Sequence, residues 1–136
     1  MARKPRYKFS YKKIGNYYRP IIDIKLKHEG KEVNYAVLLD SGSDFNIFHS
    51  DVAKLLGIDI SGLKPFSFGG VKKGVSCVGY SAGVEIEVNG ITFKAAVLFT
   101  SDFSDNGYAI VGQRGFFEHF TVIFDYANRE GIIVKK

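Results

Sequence analysis

Hydrophobic and polar residues alternate along much of this chain. Ile22, Ile24 and Leu26 are separated by Asp23, Lys25 and Lys27, the period of a strand with one buried face. The turn signal "HEGK" follows, and residues 33–39 supply the partner strand, whose end is apolar on both faces as in a buried central strand. Val84, Ile86 and Val88 alternate with Glu85 and Glu87, and Asn89-Gly90 then marks a tight hairpin leading into the strand "FKAAVLFT". "LKPFSFGGVKKGVSCVGYSAGVEIEV" reads as a long hairpin whose tip, "GGVKKG", is too rich in Gly and Lys to be core. "SDFSDNG" is a polar loop. "YAIVGQRGFFEHF" is a buried strand that breaks at Gly112 into a short helical turn, with its phenylalanines expected in the core. "TVIFDYANREGIIVKK" closes the chain as strand, turn, strand. "HSDVAKLLGIDI" has a helical pattern: Ser50 is expected to cap it, Asp51 suits its positive end and Gly57 stops it. The expected architecture is mostly β, a single domain with one or two short helices. The many hairpins suggest a closed barrel, which hides its sheet edges.

Composition agrees with this picture. The 136 residues suit one domain, and hydrophobic residues at 46% are enough for a core without disulfides. The single Cys77 cannot form an intrachain disulfide and reads as a small apolar strand residue. No apolar run approaches a membrane span, and the basic start "MARKPRYKFSYKK" has no apolar segment after it to make a secretory leader. A soluble cytoplasmic protein with no membrane partner is the expectation. Much of the net charge of +5 sits in Arg3, Lys4, Arg6, Lys8, Lys12 and Lys13. These read as a solvated terminal arm. Such an arm could touch phosphates, but no nucleic-acid module accompanies it, so nucleic acid is not expected as a partner.

The candidate chemistry lies in "AVLLDSGSDFNIF", residues 36–48. Asp-Ser-Gly often ends a strand as an ordinary polar turn. Here Val37, Leu38 and Leu39 imply burial, and a buried carboxylate is costly unless it is paired or hydrogen-bonded. Phe45, Ile47 and Phe48 return the chain at once to apolar sequence, and a second apolar strand, "AIVG", ends in a similar way. Two carboxylates in contact cannot both ionise and share a proton. One can then activate a water while the other protonates the substrate. This chain has one such residue, Asp40, because its other aspartates lie in alternating, capping or loop contexts. A second copy related by a two-fold axis would supply the other. His28, His49, His119 and Cys77 are scattered without metal-ligand spacing. Ser41 and Ser43 lack a nucleophile-elbow context, and "GGVKKG" lacks the end of a phosphate loop. No metal and no cofactor are expected.

"LLDSGSDFNIF", the Gly-rich tip "FGGVKKG" and "AIVGQRGFFEHFTVIFD", in that order, resemble the retroviral-type (retropepsin-like) aspartic proteases, and the small cellular, prokaryotic members above all. The resemblance implies a basic arm over residues 1–17 and a retropepsin-like domain over 18–136. It implies an aspartic endopeptidase acting as a homodimer on peptide or protein substrates, with Asp40 paired with its copy in the partner. The Ser41 hydroxyl would brace the two loops across the axis, and Gly42 would allow close approach of the substrate. Asp44 would hold the substrate backbone. The flap would span residues 68–74, with Phe68, Gly69, Gly70, Val71 and Gly74 against the peptide. Gly112 would pack behind the catalytic loop. Retroviral members place an arginine directly after that glycine, paired with the acid matching Asp44. This chain has Gln113 there and Arg114 one residue later. Either Arg114 still reaches Asp44, or Arg19 substitutes, or the brace is missing. Lys72 and Lys73 read as solvated tip residues, or as a cationic rim for acidic peptides. The family's dimers interleave their terminal strands. Residues 132–134 could supply one such strand, but the basic arm does not fit as its partner. A catalytically weak or inactive dimer of this fold, serving peptide binding or dimerisation, is the alternative.

Overall fold

A computed structural model of the chain describes residues 4–69, 76–102 and 107–136. Its strands run β1 (Arg6–Ser10), β2 (Lys12–Ile14), β3 (Tyr17–Arg19), β4 (Ile21–His28), β5 (Lys31–Leu39), β6 (Ile47–His49), β7 (Pro65–Gly69), β8 (Ser76–Val88), β9 (Ile91–Thr100), β10 (Ala109–Val111), β11 (Phe120–Asp125) and β12 (Glu130–Lys135). Helix α1 (Ser50–Leu55) follows β6, and a wide helical turn at Gln113–Phe117 follows β10. Among the described residues no helix is long and apolar enough to cross a membrane.

Six strands in the order β4-β5-β10-β6-β9-β8 form a sheet that closes on itself, because β8 also pairs with β4, Leu26 opposite Ile86. The protein is thus mostly β, with the closed barrel and short helices that the periodicity led us to expect. Two hairpins set the register. Glu29 and Gly30, and likewise Asn89 and Gly90, all have positive φ, which matches the right-handed twist of the strands they join. Inside the barrel lie Leu26, Val37, Phe48, Ile86, Phe99 and Val111, all fully buried. Each large side chain among them contributes roughly 1.5–3 kcal/mol by leaving water. Phe116 and Phe120 are equally buried, their rings 5.1 Å apart and tilted by 40°.

An ion pair crosses the closing seam. Lys27 Nζ lies 2.8 Å from Glu87 Oε1. The hydrogen bond raises the lysine's pKa and lowers the glutamate's.

Two expectations need correction. The cap of α1 is His49, not Ser50: the extended His49 accepts the Asp51 N–H on its Nδ1 at 3.1 Å, while Ser50 is already helical and buried. The basic arm is not a free extension either. Residues Arg6–Ser10 pair antiparallel with β12, and β11 takes the other edge of β12. Residues 132–134 do lie in a terminal sheet, and the arm of the same chain is their partner. The reason is visible in "RYKFS", where Tyr7 and Phe9 point one way and Arg6, Lys8 and Ser10 the other. Phe9 covers Gly131 so closely that a Cβ there would collide with its ring. Lys8 Nζ meets Glu130 Oε2 at 2.9 Å.

Candidate active site

Strands β5 and β6 are consecutive in sequence, but β10 lies between them, parallel to β5. The loop that joins β5 to β6 must therefore cross the end of β10. That topology brings residues 40–46 against residues 112–115. The Asp40 N–H donates to the Val111 carbonyl at 3.0 Å, extending the β5–β10 ladder by one residue. Asp40 Oδ1 then accepts the Gly42 N–H at 2.9 Å, and the Asp40 carbonyl accepts the Ser43 N–H at 3.1 Å. An aspartate that bonds its own backbone two residues on is a self-closing turn. Among the described residues Oδ2 has no protein hydrogen-bond partner. Val37 and Leu39 are buried, but Asp40 is half-buried and Ser41 and Gly42 are exposed. The apolar run suggested fuller enclosure; the strand instead delivers the acid to the barrel rim.

The second loop fastens the first. The N–H groups of Gln113 and Arg114 donate to the carbonyls of Ser43 and Asp44 at 2.8 and 3.0 Å. The Gln113 amide Nε2 donates to the Ser41 carbonyl at 2.6 Å. Gly112 sits where a Cβ would lie 2.5 Å from the Ser43 carbonyl oxygen and 2.6 Å from that of Phe45, so only glycine permits the approach. Beneath both loops is Asn46, 1% exposed. Its Oδ1 accepts the Gly112 N–H at 3.1 Å and its Nδ2 donates to the Ala96 carbonyl at 3.3 Å, while its own carbonyl accepts the Leu98 N–H. Among the described residues no ion pair reaches Asp44: Arg114 offers it only a backbone N–H, and the Arg19 guanidinium lies over the Tyr17 ring.

The β7–β8 hairpin rises beside this loop with Phe68 opposite Cys77 and Gly69 opposite Ser76. Gly70, Val71 and Gly74, together with Lys72 and Lys73, lie outside the described residues. The stem and the loop enclose a cleft of about 340 Å³, with Gly42, Asp44 and Phe45 on one side and Phe66, Phe68 and Gly69 on the other. Phe45 and Phe66 meet edge to face at 5.5 Å across it. The stem is tied to β9 through Asp102, whose Oδ2 accepts the Val78 N–H at 2.7 Å, and through Thr100, whose hydroxyl donates to the Val78 carbonyl at 2.6 Å. A larger open depression of about 820 Å³ lies by the β4–β5 turn. It is lined by surface charges of both signs, with no convergent acid–base set, so the cleft beside Asp40 is the candidate site.

Three residues of this arrangement escaped the reading of the sequence. Asn46 carried a signal, as the lone polar residue in the apolar stretch "FNIF". A buried amide must find partners. Gln113 reads only as a departure from the family pattern, and nothing local singles out Asp102 within the loop "SDFSDNG".

The barrel, the inserted β10 and the aspartate turn define a retropepsin-like fold. Comparison with solved structures supports it: a retropepsin-like aspartic protease from Rickettsia conorii superposes with a TM-score of 0.67 at 16% identity, covering 94% of this chain and 98% of that one. EIAV protease, in complex with the inhibitor HBY-793, matches with a TM-score of 0.51 at 19% identity, covering 74% of this chain and 86% of that one. No protein-family model and no curated protein sequence matches the chain.

Proposed function

We propose that this protein is an aspartic endopeptidase that works as a homodimer, with Asp40 of each copy facing the other across the two-fold axis. The observation that carries the reading is the Asp40 turn: one carboxylate oxygen accepts the Gly42 N–H and, among the described residues, the other has no protein partner, next to a cleft that Gly42 and Asp44 line beside a β-hairpin. In the dimer one Asp40 is ionised and the other protonated. The ionised carboxylate takes a proton from a water held between them as its oxygen attacks the peptide carbonyl carbon. The protonated one gives its proton to the carbonyl oxygen. The tetrahedral intermediate collapses as the first carboxyl passes the water's proton to the amide nitrogen, the second carboxylate takes a proton back from one hydroxyl, and the C–N bond breaks, which restores one ionised and one protonated Asp40. This is general acid–base catalysis, and its apparent pKa values belong to the pair. An acidic optimum is expected. The Phe45–Phe66 contact gives the cleft an apolar wall, which suits substrates with large apolar side chains.

The test is a mixed peptide library incubated with the protein and its Asp40→Ala variant across roughly pH 3 to 7, where a carboxylate pair titrates. New termini are read by mass spectrometry, with and without pepstatin. Cleavage is expected to fall by at least about 10²-fold in the variant. The lack of an ion pair to Asp44 among the described residues favours a second reading, a peptide-binding dimer with little turnover. Peptide binding by a dimeric sample without Asp40-dependent cleavage would establish that one instead.

A further inference from the structure

The cleft beside Asp40 does not end at its apolar wall. Phe45 and Phe66 also bound a second groove, of about 350 Å³, which runs on across the outer face of β9. The floor of that groove is low. Ala96 points outward from β9, and its cross-strand neighbour Gly83 has no side chain and open space around it. Two cations and one acid line the groove: Arg114, Lys94 and Glu118. Arg114 and Lys94 are exposed, and among the described residues neither makes an ion pair. Glu85 stands opposite Lys94 in register without pairing with it. The acid in the groove is already engaged, since Glu118 Oε1 accepts the Gly115 N–H at 2.6 Å. The groove therefore presents two unpaired positive charges beside an apolar wall.

The loop after β10 explains why Arg114 is there. Gln113, directly after Gly112, turns its amide to the Ser41 carbonyl. Arg114 follows in an extended conformation (φ −82°, ψ 130°), and its backbone N–H alone serves Asp44. Its guanidinium, one residue past the position that would brace Asp44, is left to the groove. Continuity decides what it meets there. A peptide lying between Phe45 and Phe66 that runs on past them enters this groove. A carboxylate complements the charge, and a guanidinium can hold it through two parallel bonds.

We infer that the groove takes an acidic side chain of the bound peptide, beyond the residues that fill the cleft, with Arg114 and Lys94 as its partners. The inference rests on the reading of the cleft as a peptide site and adds a substrate class to it. Two random peptide libraries of about 12 residues test it, each peptide up to about 40 Å long when extended and so able to overrun the cleft. One carries Glu and the other Gln at the outer positions of both ends. Cleavage by the full chain is read by mass spectrometry, and binding to its Asp40→Asn variant by anisotropy of labelled peptides. At about pH 6, where glutamate is ionised, the Glu library is expected to be bound and cut at least about tenfold better, the worth of one charge-assisted contact. Arg114→Gln/Lys94→Gln should bring the ratio near one. Lys54→Gln, an exposed lysine on α1, should leave it unchanged. The preference should also fade with added salt and as pH falls through the glutamate range. A ratio near one in the unaltered chain, or one that survives the double variant, overturns the inference. An Arg114- and Lys94-dependent binding preference without Asp40-dependent cleavage upholds the groove and removes the protease reading. Asp40-dependent cleavage that is indifferent to the outer charges does the reverse.

Discussion

The turn at Asp40 and the hairpin at residues 12–19 are one hydrogen bond apart, Leu39 to Pro20, yet they are held in opposite ways. Around Asp40 the N–H groups of residues 40, 42, 43, 112, 113 and 114 all have partners within the chain. A buried amide fastens the two loops from below. The hairpin is held by the Arg129 guanidinium against the Tyr18 and Tyr126 rings, by the Lys12–Asp23 ion pair at 3.2 Å and by backbone bonds near its ends. The contrast separates two requirements. The geometry of one carboxylate is a property of the single chain. Under the dyad reading, the meeting of two such carboxylates would depend on surface outside that turn.

Glycine substitutions break this comparison most sharply. Gly112→Ala forces a Cβ against two carbonyl oxygens, and the loops must part; a loss of about 2–3 kcal/mol is expected from urea unfolding. Gly15→Ala, at the hairpin tip, meets nothing within 4 Å and costs only its positive φ of 61°, about 1 kcal/mol. Equal losses at the two sites would erase the distinction. A smaller effect belongs to Gln113, whose amide holds the Ser41 carbonyl while its side chain stays on the surface. Gln113→Ala is expected to lower kcat about fivefold, the worth of one hydrogen bond, with KM and melting temperature nearly unchanged. An unchanged kcat would mean that the Asp40 turn holds its shape without that amide.

The smallest effect lies in the barrel wall, away from both regions. Glu87 titrates below its ordinary value because Lys27 bonds it. Its contribution is therefore present above the usual carboxylate range and is lost as pH falls through the lowered folded value. Lys27 titrates above its ordinary value, so its contribution is present below that value and is lost as pH rises through the raised one. Lys27→Met should accordingly unfold at slightly lower urea than the wild type at pH 7, and the gap should close once Glu87 is protonated. The pair is half-buried and partly screened by solvent, so a large gap at neutral pH would point to some other role for Lys27.

Much of the barrel could be read from local pattern. Strands such as "IDIKL" and "VEIEV" alternate cleanly, and their turns carry the residues that positive φ demands. The same period runs through "RYKFS", but its charges suit a solvated arm equally well, so β1 is not legible as a strand from sequence. Asp40 stood out because an acid ended an apolar run. The contacts that position it did not, because β10 enters the sheet between β5 and β6 from about 70 residues away in sequence. No local rule announces that Gly112, Gln113 and Asn46 will share one junction. The His49 cap was hidden for a simpler reason: an imidazole nitrogen is an uncommon acceptor where Ser, Thr, Asp or Asn usually serve.

The terminal sheet has a kinetic consequence. Strand β12 has both edges filled by its own chain, β1 on one side and β11 on the other. The chain can therefore complete this sheet alone, and under the dyad reading association comes afterwards. Under the dyad reading, turnover is second order in protein at low concentration, because two finished halves must meet before any bond is cut. Dilution then acts as an off switch, and copy number sets the dose of activity. A chain carrying an inactive Asp40 would still fold, pair and silence its normal partner.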